Sequence, residues 1–234
     1  MSLHVELSLL AAVSYFIGSI PFGLLVGFAK GKDIRLEGSK NIGATNAGRV
    51  LGKKFFWLVF FLDMLKSLVP MLIASVLVGR VAEGERTALT YALWLGVGVA
   101  ALFGHVFSIY LKFKGGKGVA TSAGILLGLW PHFTLAGVIA ILAFVVVVLV
   151  SRYISLSSMT AAAVFPVSYV VLELARGQSI FGAKTPLLVM ALLISGLVFW
   201  RHRENIARLR AGTENKIGSR SAKPPIEPNA PSGR

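Results

Sequence analysis

Three short segments of the 234-residue chain carry residue types suited to phosphate chemistry. The first, GSKNIGATNAGR (residues 38–49), combines small residues with the side-chain donors Ser39, Asn41, Thr45 and Asn46. Arg49 closes it with a planar guanidinium, a fork that matches phosphate oxygens. Four glycines lie in the wider stretch 38–52, and glycine lets backbone amides approach an anion closely. The second segment, GHVFSIYLKFKGGKGVAT (residues 104–121), contains Ser108 and sets a GGKG turn directly before an apolar run. Amides around Gly115, Gly116 and Gly118 would face a ligand at the positive end of the following helix, and Lys117 adds a full charge. Gly118 follows Lys117 where a nucleotide-binding GxxxxGK[ST] loop needs Ser or Thr, so phosphate binding is supported and ATP binding is not. The third segment is WRHRENIAR (residues 200–208). On a helix, His202 and Asn205 share a face, and Arg201 stands four residues from Asn205. His202 brings a side chain whose ordinary pKa lies near neutrality, as a general base requires. Each segment also has a plainer reading: a polar surface loop, a basic turn and a belt of snorkelling arginines.

Two charges stand apart. Asp63 and Lys66 lie three residues apart inside an apolar run. Charges at membrane depth are costly and pair with one another or face the bundle interior, so the expectation is a structural ion pair. Glu173, His132 and His4 read as outer-surface residues without a catalytic role. No metal-ligand cluster is visible and cysteine is absent, so neither a metal nor a disulfide is expected.

The elements that must position these segments are membrane helices. Hydrophobic residues make up 55% of the chain and charged residues 15%, with a mean hydropathy of +0.75. Soluble domains carry about 25% charged residues, so a water-soluble globule is excluded. Apolar runs cover residues 5–28, 55–78, 88–111, 119–150, 156–174 and 186–200. The N-terminal run lacks a basic leader and reads as a retained span, not a signal peptide. The run 119–150 is too long for one comfortable span, and Trp130-Pro131-His132 interrupts it.

Charge decides whether that run splits. The net charge is +14, and the basic residues cluster in 29–54, in 112–117 and after residue 200. Cytoplasmic loops carry the excess of Lys and Arg. All three clusters fall on one side only if the chain crosses four times between residues 119 and 200. The reading is therefore an all-α, polytopic bundle of seven transmembrane helices, N-terminus outside and C-terminus cytoplasmic. Residues 1–212 form the membrane domain. Residues 213–234, with the sequence KPPIEPNAPSG inside them, read as a disordered cytoplasmic tail. The basic residues sit in short loops between spans, which argues against a nucleic-acid partner.

The ordered set GSIPFG (18–23), GSKNIGATNAGRVLG (38–52), the Asp63/Lys66 pair, GHVFSIYLKFKGGKGVAT (104–121) and RHRENIARL (201–209) resembles the PlsY family of bacterial acyl-phosphate:glycerol-3-phosphate acyltransferases. The match spans nearly the whole chain apart from the tail. The resemblance implies a seven-helix enzyme of the bacterial inner membrane, with its active site on the cytoplasmic side. It would move a fatty acyl group from acyl phosphate to the 1-hydroxyl of sn-glycerol 3-phosphate, giving lysophosphatidic acid and phosphate, the first step of phospholipid synthesis. No cofactor is implied. The partners are the two substrates, membrane lipid and a transient contact with the soluble enzyme that supplies acyl phosphate. By motif, Ser39, Arg49, Lys117, His202 and Asn205 carry over as the catalytic set. Asn41, Thr45, Asn46, Ser108, Gly115, Gly116, Gly118 and Arg201 support substrate and phosphate.

The residues agree with that chemistry. Acyl phosphate is already activated, so the protein must mainly position two phosphorylated substrates and neutralise charge. The proton acceptor stays open between His202 and a substrate phosphate; an acyl-enzyme on Ser39 ranks third, because no histidine pairs with Ser39 in sequence. A transporter of organic phosphates is the competing class, and it would place binding residues near the bilayer midplane. The clusters here lie at one interface.

Overall fold

A computed structural model describes residues 2–217. Among them are ten α-helices: α1 (Leu3–Ser19), α2 (Phe22–Phe28), α3 (Ala44–Leu51), α4 (Lys53–Val78), α5 (Ala88–Val106), α6 (Val119–Gly128), α7 (Thr134–Ser151), α8 (Ile154–Ala175), α9 (Thr185–Arg201) and α10 (Arg203–Arg210). Six segments are long and apolar enough to cross a bilayer: Leu3–Phe28, Lys53–Val78, Ala88–Leu111, Thr134–Ser151, Ile154–Ala175 and Gly182–Arg201. The break expected at Trp130-Pro131 falls between α6 and α7. Its first half, α6, has ten residues. At about 1.5 Å per residue it covers roughly half of a 30 Å hydrocarbon core, so α6 lacks the length of a full span.

The surface of this bundle is inverted relative to a soluble protein. Val76, Leu149, Val150, Val146 and Phe61 are exposed, as side chains that meet lipid must be. Lipid tails are as apolar as leucine, so helices associate through close packing and interhelical hydrogen bonds. Gly18 of α1 and Gly104 of α5 permit one such approach: a methyl group on Gly18 would overlap the Ala101 backbone, and one on Gly104 the Tyr15 carbonyl. α6 lies along α4 through three polar links. Thr121 Oγ1 donates to the Asp63 carbonyl at 3.0 Å and Ser67 Oγ to the Thr121 carbonyl at 2.6 Å. Ser75 Oγ donates to the Gly128 carbonyl at 2.8 Å, satisfying an acceptor at the end of α6.

One local expectation needs refinement and two need correction. The first span, read over residues 5–28, holds as one segment, Leu3–Phe28, but its helix is interrupted between α1 and α2. Pro21 has no N–H to extend the ladder, and the Lys66 ammonium takes up the Ile20 carbonyl at 3.2 Å. His202 is not inside a helix with Asn205; it is the residue between α9 and α10. The expected tail begins at residue 213, yet its described part, 213–217, contains one buried residue among four exposed ones. Glu214 is buried and bonded to α8 and α10. The remainder of the tail lies outside the described residues.

Candidate active site

The starts of α4, α6 and α8 meet the end of α5, the α9–α10 junction and α3 around one cavity of about 110 Å³. Ser39, Asn41, Thr45, Asn46 and Arg49 line it from the first segment, Lys117 and Gly118 from the second, and His202 and Asn205 from the third. Residues separated by more than 160 positions thus share one wall. Phe56, Phe60, Phe144 and Ile154 complete it, so a polar wall faces an apolar one. A larger groove of about 670 Å³ adjoins the cavity. It shares Thr45, Arg49, Phe56 and Ile154 with the cavity and adds Lys53, Trp57 and Ile217.

The first segment is built around a buried amide. Asn46, 1% exposed, accepts from the Ser39 amide at 2.8 Å and donates to the carbonyls of Ile34 (2.6 Å) and Glu37 (3.2 Å). Its side chain therefore staples residues 34–39 to α3 and is largely consumed in doing so. Asn41 is also structural in part, because its Oδ1 accepts from the Gly43 amide at the start of α3. Ser39 and Arg49 remain outward, and Arg49 donates to the Asn215 carbonyl at 3.3 Å.

The second segment forms a tight turn, but its first two amides do not face a ligand. Gly115 N–H donates to the Val106 carbonyl and Gly116 N–H to the His105 carbonyl, both at 3.0 Å. The expected role of Gly115 and Gly116 as amide donors to phosphate is therefore corrected. Those glycines are small so that the turn can lie against α5, where added methyl groups would overlap His105 and Val106. Gly118 adopts φ +82°, a left-handed value that favours glycine, and starts α6. The amides available to an anion are those of the first turn of α6. Arg201 braces the turn from behind: its Nη2 donates to the carbonyls of Gly115 (3.0 Å) and Gly116 (2.9 Å). Ser108 is corrected too, being buried and donating to the Ser19 carbonyl at 2.6 Å, away from the cavity.

At the third segment, Lys117 Nζ donates to Asn205 Oδ1. Asn205 Nδ2 donates to Glu214 Oε1 at 2.8 Å. Glu214 also accepts from Ser155 Oγ at 2.9 Å and from Arg208 Nε at 2.7 Å. Burial raises the Glu214 carboxyl, but its hydrogen bonds to Arg208, Asn205 and Ser155 outweigh burial and hold it below the ordinary carboxylate value. Burial, and then the charge of Arg208, pull Lys117 down to about 8. Burial, and then Lys117, push His202 down to about 4. His202 Nδ1 lies 2.8 Å from the Val198 carbonyl. A carbonyl only accepts, so Nδ1 carries the proton and Nε2 keeps a free lone pair.

Beneath these groups, Asp63 and Lys66 pair at 2.9 Å, with His105 Nδ1 3.6 Å from Asp63 Oδ1. Asp63 and His105 both line the cavity. Among the described residues, no three His, Asp or Glu side chains cluster as metal ligands. Sequence reasoning missed Glu214, whose acidic type was hidden in a segment dismissed for its composition. It also missed His105, although that residue stands inside the second motif.

A small polar pocket with two cations, opening on an apolar groove, suits a phosphorylated substrate and a lipid. The model of the glycerol-3-phosphate acyltransferase family matches residues 8–212. The chain belongs to the PlsY family of glycerol-3-phosphate acyltransferases. The glycerol-3-phosphate acyltransferase of Geobacter sulfurreducens is 44% identical over 210 residues, covering 89% of this chain and 96% of that one. The enzyme of the same description from Geotalea daltonii is 43% identical over 203 residues, covering 86% and 93%. Among solved structures, the chain is similar to PlsY (YgiH), an integral membrane glycerol 3-phosphate acyltransferase, in its glycerol 3-phosphate form. The TM-score is 0.75 at 37% identity, over 91% of this chain and 96% of that one. The lysophosphatidic acid form of PlsY gives a TM-score of 0.72. The protein is thus a multi-pass membrane glycerol-3-phosphate acyltransferase.

Proposed function

We propose that the acyl donor is acyl phosphate and that the products are lysophosphatidic acid and inorganic phosphate. The observation that carries this reading is the single cavity in which Lys117, Arg49, Ser39, His202 and Asn205 face an aromatic wall. Two phosphates need two cationic positions. Lys117, tied to Asn205 beside His202, would bind glycerol 3-phosphate. Arg49 and Ser39, next to the apolar groove, are placed for the headgroup of a lipid donor. The donor's acyl chain would lie over Phe56 and Trp57. Phosphate is a compact leaving group that the protein can neutralise with fixed charge.

In the reaction, the 1-hydroxyl oxygen of glycerol 3-phosphate bonds to the acyl carbonyl carbon, and the bond from that carbon to the phosphate oxygen breaks. The hydroxyl proton passes to a phosphate oxygen, and inorganic phosphate leaves. His202 is a poor proton acceptor at neutral pH because its pKa lies near 4. A phosphate monoester, whose second pKa is about 6, is better matched to the task. His202 Nε2 then orients the hydroxyl by accepting its hydrogen bond. No cofactor enters.

The same reading places the site on the cytoplasmic face of the bacterial inner membrane, where the unpaired basic residues belong. In this reading the short α6 and the turn after it together make the seventh crossing, from a recessed start beside Asp63 to the far end beside Ser75. N-terminus outside and C-terminus inside follow, and a soluble enzyme delivers the donor.

The test uses purified protein in lipid vesicles, supplied with glycerol 3-phosphate and either acyl phosphate or acyl-CoA. Equal yields of lysophosphatidic acid and phosphate from acyl phosphate alone are expected. Turnover with acyl-CoA only refutes the donor assignment. Flux of glycerol 3-phosphate into sealed vesicles without acylation refutes the catalytic reading altogether.

A further inference from the structure

His105 takes no part in the chemistry above, yet it is the side chain on which the lysine turn rests. It is 5% exposed and lines the cavity floor. Its carbonyl accepts the Gly116 N–H at 3.0 Å. Its imidazole lies against the same residue from the other side: a Cβ built on Gly116 would overlap His105 Nε2. Behind the ring stands a buried ionic base. His105 Nδ1 is 3.6 Å from Asp63 Oδ1, Asp63 pairs with Lys66 at 2.9 Å, and Lys66 Nζ reaches the Ile20 carbonyl at 3.2 Å where Pro21 interrupts the first span. His105 Nδ1 makes no closer hydrogen bond within the described residues.

We infer that His105 is a positioning residue: supported by Asp63 and Lys66, its ring sets the height of the Gly115–Gly116–Lys117 turn and so the reach of the Lys117 ammonium into the cavity. The chain of contact runs from a broken helix, through an ion pair and a ring, to the turn that holds the cation. This explains why an ion pair is kept at membrane depth directly under a phosphate site, where charge is costly. It also explains why Gly116 lacks a side chain although its backbone does not need φ above zero. The neighbouring Gly115 is constrained differently, since a Cβ there would meet the main-chain carbonyls of His105 and Val106. The inference rests on the glycerol-3-phosphate acyltransferase activity and is independent of which donor the enzyme uses.

The test is a double-mutant cycle. Gly116→Ala, His105→Ala and the double variant are purified in lipid, checked for monodispersity, and measured for glycerol 3-phosphate affinity by calorimetry and for kcat/KM. Gly116→Ala should lose about tenfold or more in the wild-type background and about threefold or less in the His105→Ala background, because the coupling of touching residues is large. Gly115→Ala should lose the same factor in both backgrounds, its obstruction being main chain. If His105→Ala is not monodisperse, His105→Asn replaces it, being shorter and still polar toward Asp63. Equal losses from Gly116→Ala in both backgrounds overturn the inference. Wild-type protein that binds glycerol 3-phosphate but turns over neither donor would strike the proposed reaction, and the affinity cycle would still decide the role of His105.

Discussion

The wall of the cavity and the far end of the bundle hold basic residues differently, although Lys32 and Arg35, outside the cavity at its own end, pair with Glu37 and Asp33. At the end away from the cavity, basic residues meet acids. Arg80 pairs with Glu6 at 3.1 Å, Arg176 with Glu173 at 3.4 Å, and Lys184 with Glu83 at 3.6 Å and Glu173 at 3.8 Å. At the cavity end, neither Arg49 nor Lys117 belongs to an ion pair among the described residues. Each is held by a neutral oxygen, that of Asn215 or Asn205. The one acid on that wall outside the buried Asp63–Lys66 pair, Glu214, is neutralised by Arg208 and two further donors. The excess of positive charge is therefore not spread over the chain as a topology signal alone. At the cavity wall the two cations Arg49 and Lys117 are left without an acidic partner among the described residues, as the proposed binding of phosphorylated substrates requires.

Breaking the cavity end should cost most. Lys117→Ala or Arg49→Ala removes a preorganised cation facing developing charge and should lower kcat/KM by about 10²–10³, read by phosphate release from protein of normal expression. Glu214→Gln keeps the shape but weakens the charge-assisted bond to Arg208, and should lower kcat/KM by about tenfold. A pH profile sharpens the comparison further. Lys117, held near 8 by burial, is charged below that value, so kcat/KM should fall as pH rises through about 8. Lys117→Arg should move that limb upward, since guanidinium stays charged. The acid limb should lie near pH 6, where a phosphate monoester takes its second proton. It should persist in His202→Gln, because His202 is already neutral above about 4. The smallest effect belongs to the paired end: Arg80→Ala breaks an exposed pair worth about 1 kcal/mol or less. Thermal stability should shift by at most a few degrees, with activity unchanged.

Legibility in the sequence followed the same division. Ser39, Arg49, Lys117, His202 and Asn205 stood out because each lies in a short segment that gathers uncharged polar side chains and cations together, with glycines in the first two segments. Their convergence needed only that three segments face one side. The break at Pro131 was readable because a proline sits in a run too long for one span. The break at Pro21 was not, since hydropathy continues across it and the compensating Lys66 contact is distant in sequence. Gly115 and Gly116 were recognised for the wrong property. Spacing suggests open amides, and only the packing of the turn on α5 shows those amides already bonded. His105 escaped for a related reason, its partner Asp63 lying 42 positions away, whereas Glu214 bonds Arg208 and Asn205 only six and nine positions away but stands at the head of a polar, proline-rich segment that reads as tail.

The most direct test of this asymmetry is the affinity for glycerol 3-phosphate, measured by calorimetry in lipid nanodiscs for wild type, Lys117→Ala and Arg80→Ala. Saturable binding that weakens about tenfold or more in Lys117→Ala and is unchanged in Arg80→Ala is the predicted result. Equal affinity in wild type and Lys117→Ala would contradict the claim that the unpaired cations of the cavity hold the substrate.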